Sequence, residues 1–128
     1  NQGNFFLRIQ NSKLRAQVQD TSTSPTHIAR VESSVLSSAT WYFGTLVYTG
    51  STKTLELYIN AVSHGTDNEP LLSGNLYSQN MLSVFKRNQG TGDVFFGGKI
   101  PITMIYNVAL TPAESQQNFN EDKARYGL

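Results

Sequence analysis

The stretch WYFGTLVYTGSTKTLELYINAVSHGT, residues 41–66, decides the fold. Its opening part, Trp41–Thr49, is apolar on both sides of a period-two pattern, as expected of a central strand covered on both faces. Gly50-Ser51-Thr52 breaks the run. Beyond it Leu55, Leu57 and Ile59 alternate with Thr54, Glu56 and Tyr58, the pattern of a strand with one apolar face. Asn60-Ala61 then makes a tight turn into Val62–Thr66. The middle of the chain is therefore antiparallel β-structure.

The same period extends outward. Phe5, Leu7 and Ile9 fall on one side of a strand, with Phe6 and Arg8 on the other. After a turn at Asn11-Ser12, Leu14, Ala16 and Val18 alternate with Lys13, Arg15, Gln17 and Gln19, a hairpin with one wet face. Asp20–Thr26 (DTSTSPT) reads as a loop, with a short strand at Ile28–Val31 beyond it. Asp67–Gly74 is a second polar loop, where Pro70 excludes a central strand. Leu82–Arg87, Val94–Phe96 and Ile100–Tyr106 bring the set to about nine short strands at sandwich spacing.

One helix closes the chain. Thr111-Pro112-Ala113-Glu114 is a capping box with proline in the first turn, and Gly127 supplies the left-handed stop. Phe119 and Tyr126 are its main apolar residues, so it lies on the surface and is held by aromatics. The expected fold is all-β: an antiparallel two-sheet jelly-roll sandwich with one short C-terminal surface helix, all in one domain, 1–128.

Composition narrows the function classes. Of 128 residues, 44 are Ser, Thr, Asn or Gln, whereas only 15% are charged. Ten basic against nine acidic residues give a net charge of +1, which speaks against a nucleic-acid partner held by phosphate contacts. At 38% hydrophobic residues with 14 aromatics, the chain can bury a core. The apolar runs are too short for a membrane-spanning helix. Cysteine is absent, so disulfides and thiolate metal sites are excluded. Such a neutral, polar, aromatic-dotted chain fits an extracellular or virion surface domain.

Catalytic constellations are hard to find. No serine sits in a G-x-S-x-G elbow, and His27 and His64 both fall in polar stretches. The nine carboxylates are scattered, and none forms the Glu-x-Asp-x-x-Glu strand used by lectin-like glucanases. The expectation is a protein that is not an enzyme and has no cofactor. Asp20, Asp67 and Glu69 are weak calcium candidates, because Asp and Asn in such loops also serve as ordinary turn formers. Sugars stack on aromatic rings and hydrogen-bond to amides and carboxylates. Tyr58, Asp67, Asn68, Tyr77 and Asn88 are the glycan-binding candidates, with loops Asp20–Thr26, Asp67–Gly74 and Asn88–Asp93 foremost.

Three segments carry a family resemblance. Thr40–Gly50 resembles the "W-h-h-v-a-…-y-d-G" strand of concanavalin A-like, laminin G-like jelly rolls. Leu57-Tyr58-Ile59-Asn60-Ala61-Val62 resembles their "l-Y-v-N-G-v" hairpin, with Ala61 where Gly is usual. Gly98–Glu114 resembles their closing strand and helix, but with Pro101-Ile102 where an Asp-Glu pair is frequent. The ending Gln117–Leu128 is similar to that of phage virion members of the superfamily.

The resemblance implies a non-catalytic lectin-like module on a virion surface, in a tail fibre, an adhesin or a capsid decoration. Its partners would be host-surface glycans or other virion subunits. A purely structural spacer or cement domain, or a secreted carbohydrate-binding module, is the alternative. Members of the family usually begin with an apolar strand ahead of the one matching Phe5–Ile9. The expectation is therefore a chain completed from outside, as a homo-oligomer or as the C-terminal part of a larger protein.

Overall fold

Two turns of one geometry set the registers. The computed structural model describes residues 3–20, 25–72, 86–87, 94–95 and 97–128. Asn11 and Ser12 have φ of 52° and 58°, and Asn60 and Ala61 have 51° and 61°. Positive φ at both central residues is the type I′ turn, whose twist matches that of the strands it joins. The first turn joins β1 (Gly3–Gln10) to β2 (Lys13–Asp20), and the second joins β5 (Thr54–Ile59) to β6 (Val62–Asn68). With β3 (His27–Val35) and β4 (Gly44–Thr49) they build two antiparallel three-stranded sheets, ordered β1-β2-β3 and β4-β5-β6. A separate short pair joins β7 (Lys86–Arg87) and β8 (Val94–Phe95).

The sheets pack face to face. Leu14, Ala16 and Val18 of β2, with Ala29 and Val31 of β3, meet Leu55, Leu57 and Ile59 of β5 in one core that includes Leu72. Each fully buried leucine contributes about 1.5–3 kcal/mol. At Gly44 the sheets close to glycine distance: a Cβ there would stand 2.6 Å from Leu14 Cδ2 and 3.6 Å from Leu7 Cδ2. Between Glu56 and Tyr58 the β5–β6 ladder is irregular, and Gly65 on β6 has φ 121°, open only to glycine. The outer face of the first sheet is polar. Arg15 pairs with Glu32, and Gln17 accepts from Arg30 Nε at 2.9 Å.

β1 stands apart from this packing. Phe5, Leu7 and Ile9 pair with Val18, Ala16 and Leu14, so their side chains share the core face. They are nevertheless 51%, 41% and 49% exposed. Among the described residues the opposing sheet ends at β4, and the apolar face of β1 overhangs it.

The helix α1 (Pro112–Tyr126) forms where the sequence places it. Thr111 Oγ1 accepts from the Glu114 amide at 3.3 Å, and Glu114 accepts from the Thr111 amide at 2.7 Å. That exchange holds the Glu114 carboxyl below its ordinary pKa. Gly127, at φ 68°, ends the helix. Trp41 meets Tyr126 at a ring-centroid distance of 5.6 Å, and Phe43 meets Phe119 at 6.0 Å, which latches α1 to the segment ahead of β4.

Several boundaries differ from the sequence reading. β4 starts at Gly44, so Trp41–Phe43 lie outside it. Asp67 and Asn68 belong to the end of β6 and not to a loop. Ile100–Tyr106 is not a strand: Pro101 supplies no N–H for a ladder, and Ile102, Met104, Ile105 and Tyr106 are exposed. Residues 21–24, 73–85, 88–93 and 96 lie outside the described residues. With them lie most of the loop Asp20–Thr26, the end of the loop Asp67–Gly74, all of Asn88–Asp93 and most of the Leu82–Arg87 strand.

Burial decides what a truncation costs on this shared face. At low protein concentration, Leu57→Ala is expected to lose about 2–5 kcal/mol in urea unfolding. Leu7→Ala, on the same face but overhanging, is expected to lose under about 1 kcal/mol. Equal losses would show that β1 is covered in the folded chain.

Candidate functional site

The carboxylates singled out from the sequence are engaged in the framework. Asp67 Oδ2 accepts the Arg30 amide at 2.8 Å, tying β6 to β3. Asn68 Nδ2 donates to the Thr52 carbonyl at 2.5 Å and to Thr54 Oγ1 at 3.3 Å. Glu69 Oε1 accepts the Leu71 amide at 3.1 Å and stands 3.8 Å from His27 Nδ1. Asp20 is buried at the end of β2, close enough to Tyr48 for its charge to act on that phenol. Among the described residues no three of His, Cys, Asp and Glu form a group able to hold a metal ion.

The tyrosines divide in a similar way. Tyr58 is only 5% exposed and offers no open ring face; Glu56 lies close enough for its charge to act on the phenol. Tyr77 and Asn88 lie outside the described residues.

A concave site lies elsewhere, in the connection from β3 to β4. It is a solvent-open depression of about 400 Å³. Ile9 and Leu36 supply apolar walls, and Ser37, Ser38 and Thr40 supply hydroxyls. Trp41 and Tyr42 supply rings, and Lys99 an ammonium. Its described lining contains no carboxylate. Trp41 is 38% exposed.

Local bonds hold this loop in shape. The Leu36 amide donates to the Ser12 carbonyl at 2.7 Å, and the Ser37 amide donates to Tyr42 Oη at 2.9 Å. Thr40 Oγ1 donates to the Ser38 carbonyl at 3.2 Å, across Ala39 with its left-handed φ of 55°. At the far end, the Phe43 amide donates to Asn60 Oδ1 at 2.9 Å, and the Asn60 amide returns a bond to the Phe43 carbonyl at 2.8 Å. Tyr126 of α1 meets the indole in a tilted contact at a ring-centroid distance of 5.6 Å. The loop backbone is thus fixed to the β1–β2 turn, to the β5–β6 turn and to the helix.

Sequence reading missed this site because Trp41 and Tyr42 were assigned to a doubly covered strand. The signal was present: Ser37-Ser38-Ala39-Thr40 is a small, polar run immediately ahead of the single tryptophan.

The model of the family described as the concanavalin A-like lectin/glucanases superfamily (Laminin G 3) matches residues 1–115. The chain belongs to this family. Two antiparallel three-stranded sheets packed into a sandwich, with one short C-terminal helix, agree with a concanavalin A-like jelly roll. Comparison with the curated proteins and with the solved structures gives no match. A domain of this laminin G-like kind is a carbohydrate-binding or structural module.

The two half-buried or buried phenols give this domain an alkaline limit. Burial, the larger cause, and Glu56 raise the Tyr58 pKa above its ordinary value of 10.0. Burial and then Asp20 do the same for Tyr48. The unfolded chain therefore ionises first. Stability is retained below pH 10 and falls as the pH rises through 10 toward the folded-state values. Urea midpoints measured from pH 8 to about 11 should fall at the alkaline end. The fall should be smaller for Tyr48→Phe/Tyr58→Phe, and an equal fall would contradict the assignment.

Proposed function

We propose that this chain is a non-catalytic lectin-like module that binds saccharides in the Trp41 cleft, displayed on a virion surface. The observation that carries the reading is the pairing of an accessible indole with serine, threonine and lysine residues along one depression, on a loop whose backbone is held by hydrogen bonds. A pyranose has an apolar C–H face and an equatorial rim of hydroxyls. Trp41 offers a ring to the first, while Ser37, Ser38, Thr40 and Lys99 offer partners to the second. Without a carboxylate in the described lining, the cleft binds and releases but has no acid–base pair for glycoside cleavage. Placement on a virion is supported by the resemblance of the Gln117–Leu128 ending and by the uncharged polar composition.

The structural-module reading has one observation of its own, the apolar overhang of β1. A spacer or cement domain would use that surface and leave the cleft empty.

Because Trp41 is the single tryptophan, ligand entry reads directly as a change in its fluorescence. A glycan array should return binders that shift or quench that emission. Trp41→Ala should weaken binding about tenfold or more, with Trp41→Phe in between. Binding that leaves the emission unchanged and survives Trp41→Ala would place the ligand elsewhere. An array without binders would favour the structural module.

A further inference from the structure

We propose that two copies of this chain pair through β1, antiparallel and centred on Leu7, to form one continuous six-stranded sheet. Backbone groups along β1 alternate in direction. Across a two-residue I′ turn the closing pair, here Gln10 and Lys13, exchanges hydrogen bonds, and bonded pairs recur at every second residue. Gln10, Arg8, Phe6 and Asn4 therefore bond to β2, and the amides and carbonyls of Phe5, Leu7 and Ile9 point away from it. The next strand confirms the parity: the Leu14 amide, opposite Ile9, donates outward to Ser33 Oγ at 2.9 Å.

Phe5, Leu7 and Ile9 thus carry two unmet demands at once. Their side chains lie on the core face but overhang the opposing sheet, 41–51% exposed. Their backbone groups face an edge with no neighbouring strand among the described residues. An eight-residue edge with apolar side chains and open backbone groups is a template for another strand.

The sequence of β1 is self-complementary in a register that uses those groups. With Leu7 opposite the partner's Leu7, Phe5 falls opposite the partner's Ile9 and Ile9 opposite the partner's Phe5. All three are hydrogen-bonded pairs, giving about six main-chain bonds. On the other face Arg8 falls opposite the partner's Phe6, and Arg8 already lies 5.1 Å from the ring centroid of its own Phe6. Position 4 falls opposite the partner's Gln10 in this register. Shifting the register by two residues in one direction sets Arg8 against the partner's Arg8, which is repulsive; in the other it sets Ile9 against the partner's Gly3 and loses an apolar pair. The Leu7-centred register alone keeps every apolar pair and separates the charges.

The native chain has no cysteine, so single thiols report the register. Sedimentation of the 128-residue chain should show its mass rising with concentration from 14.2 kDa toward twice that value. Under mild oxidation Leu7→Cys should form a linked dimer about tenfold or more faster than Arg8→Cys, because bonded partners have Cα atoms about 5.5 Å apart. Leu7→Lys, at an exposed position, should keep the far-ultraviolet spectrum and weaken association about tenfold or more. Three results would each overturn the proposal: a chain that stays at monomer mass, equal linking by Leu7→Cys and Arg8→Cys, or dimerisation of Leu7→Lys at wild-type strength.

Discussion

Leu14, Ala16 and Val18 on β2 pack against Leu55, Leu57 and Ile59 on β5, and every other element takes its position from that contact. Type I′ turns at Asn11-Ser12 and Asn60-Ala61 fix which residues of β1 and β6 stand beside these two strands. A slip of one residue in either hairpin would turn the whole apolar set outward, so register and core are specified together. β3 and β6 close the far side, where Asp67 accepts the Arg30 amide across the sandwich edge. On the near side, among the described residues, no strand lies beyond β4 to face the apolar side chains of β1.

The binding surface follows from the same arrangement. The connection from β3 to β4 must cross between sheets, and it does so as a loop tied at one end to the β1–β2 turn and at the other to the β5–β6 turn. Rings at Trp41 and Phe43 contact Tyr126 and Phe119, so α1 is attached to the segment ahead of β4 and contributes no residue to the hydrophobic core. A helix with few apolar residues suits that role: capping at Thr111 and Glu114 and two aromatic contacts hold it in place. If chains pair through β1, each assembly presents two clefts, and weak single-site contacts gain from being made together.

Much of the fold was legible because alternation and turn chemistry are local signals. β2, β5, the two tight turns and the capping box all follow from residues within a few positions of one another. The misses have a common cause, which is that exposure is not local. Tyr58 alternates outward with Glu56 and is still buried. Phe5, Leu7 and Ile9 point toward the core and remain exposed. Asp67 and Asn68 read as loop residues, yet they bond to Arg30, Thr52 and Thr54, positions set by pairing between distant segments. The cleft was hidden for the same reason. Its walls come from β1, the segment 36–42 and Gly98-Lys99, which no single window of sequence joins.

In β1 the same residues turn apolar side chains to the core face and their backbone groups to an edge with no neighbouring strand among the described residues. Residue-resolved amide hydrogen exchange tests it most directly. At low concentration protection is expected to alternate along the strand, with Phe6 and Arg8 protected and Phe5, Leu7 and Ile9 exchanging fast; raising the concentration should protect the second set. Uniform protection of all five amides in the dilute chain, or the inverse alternation, would contradict it.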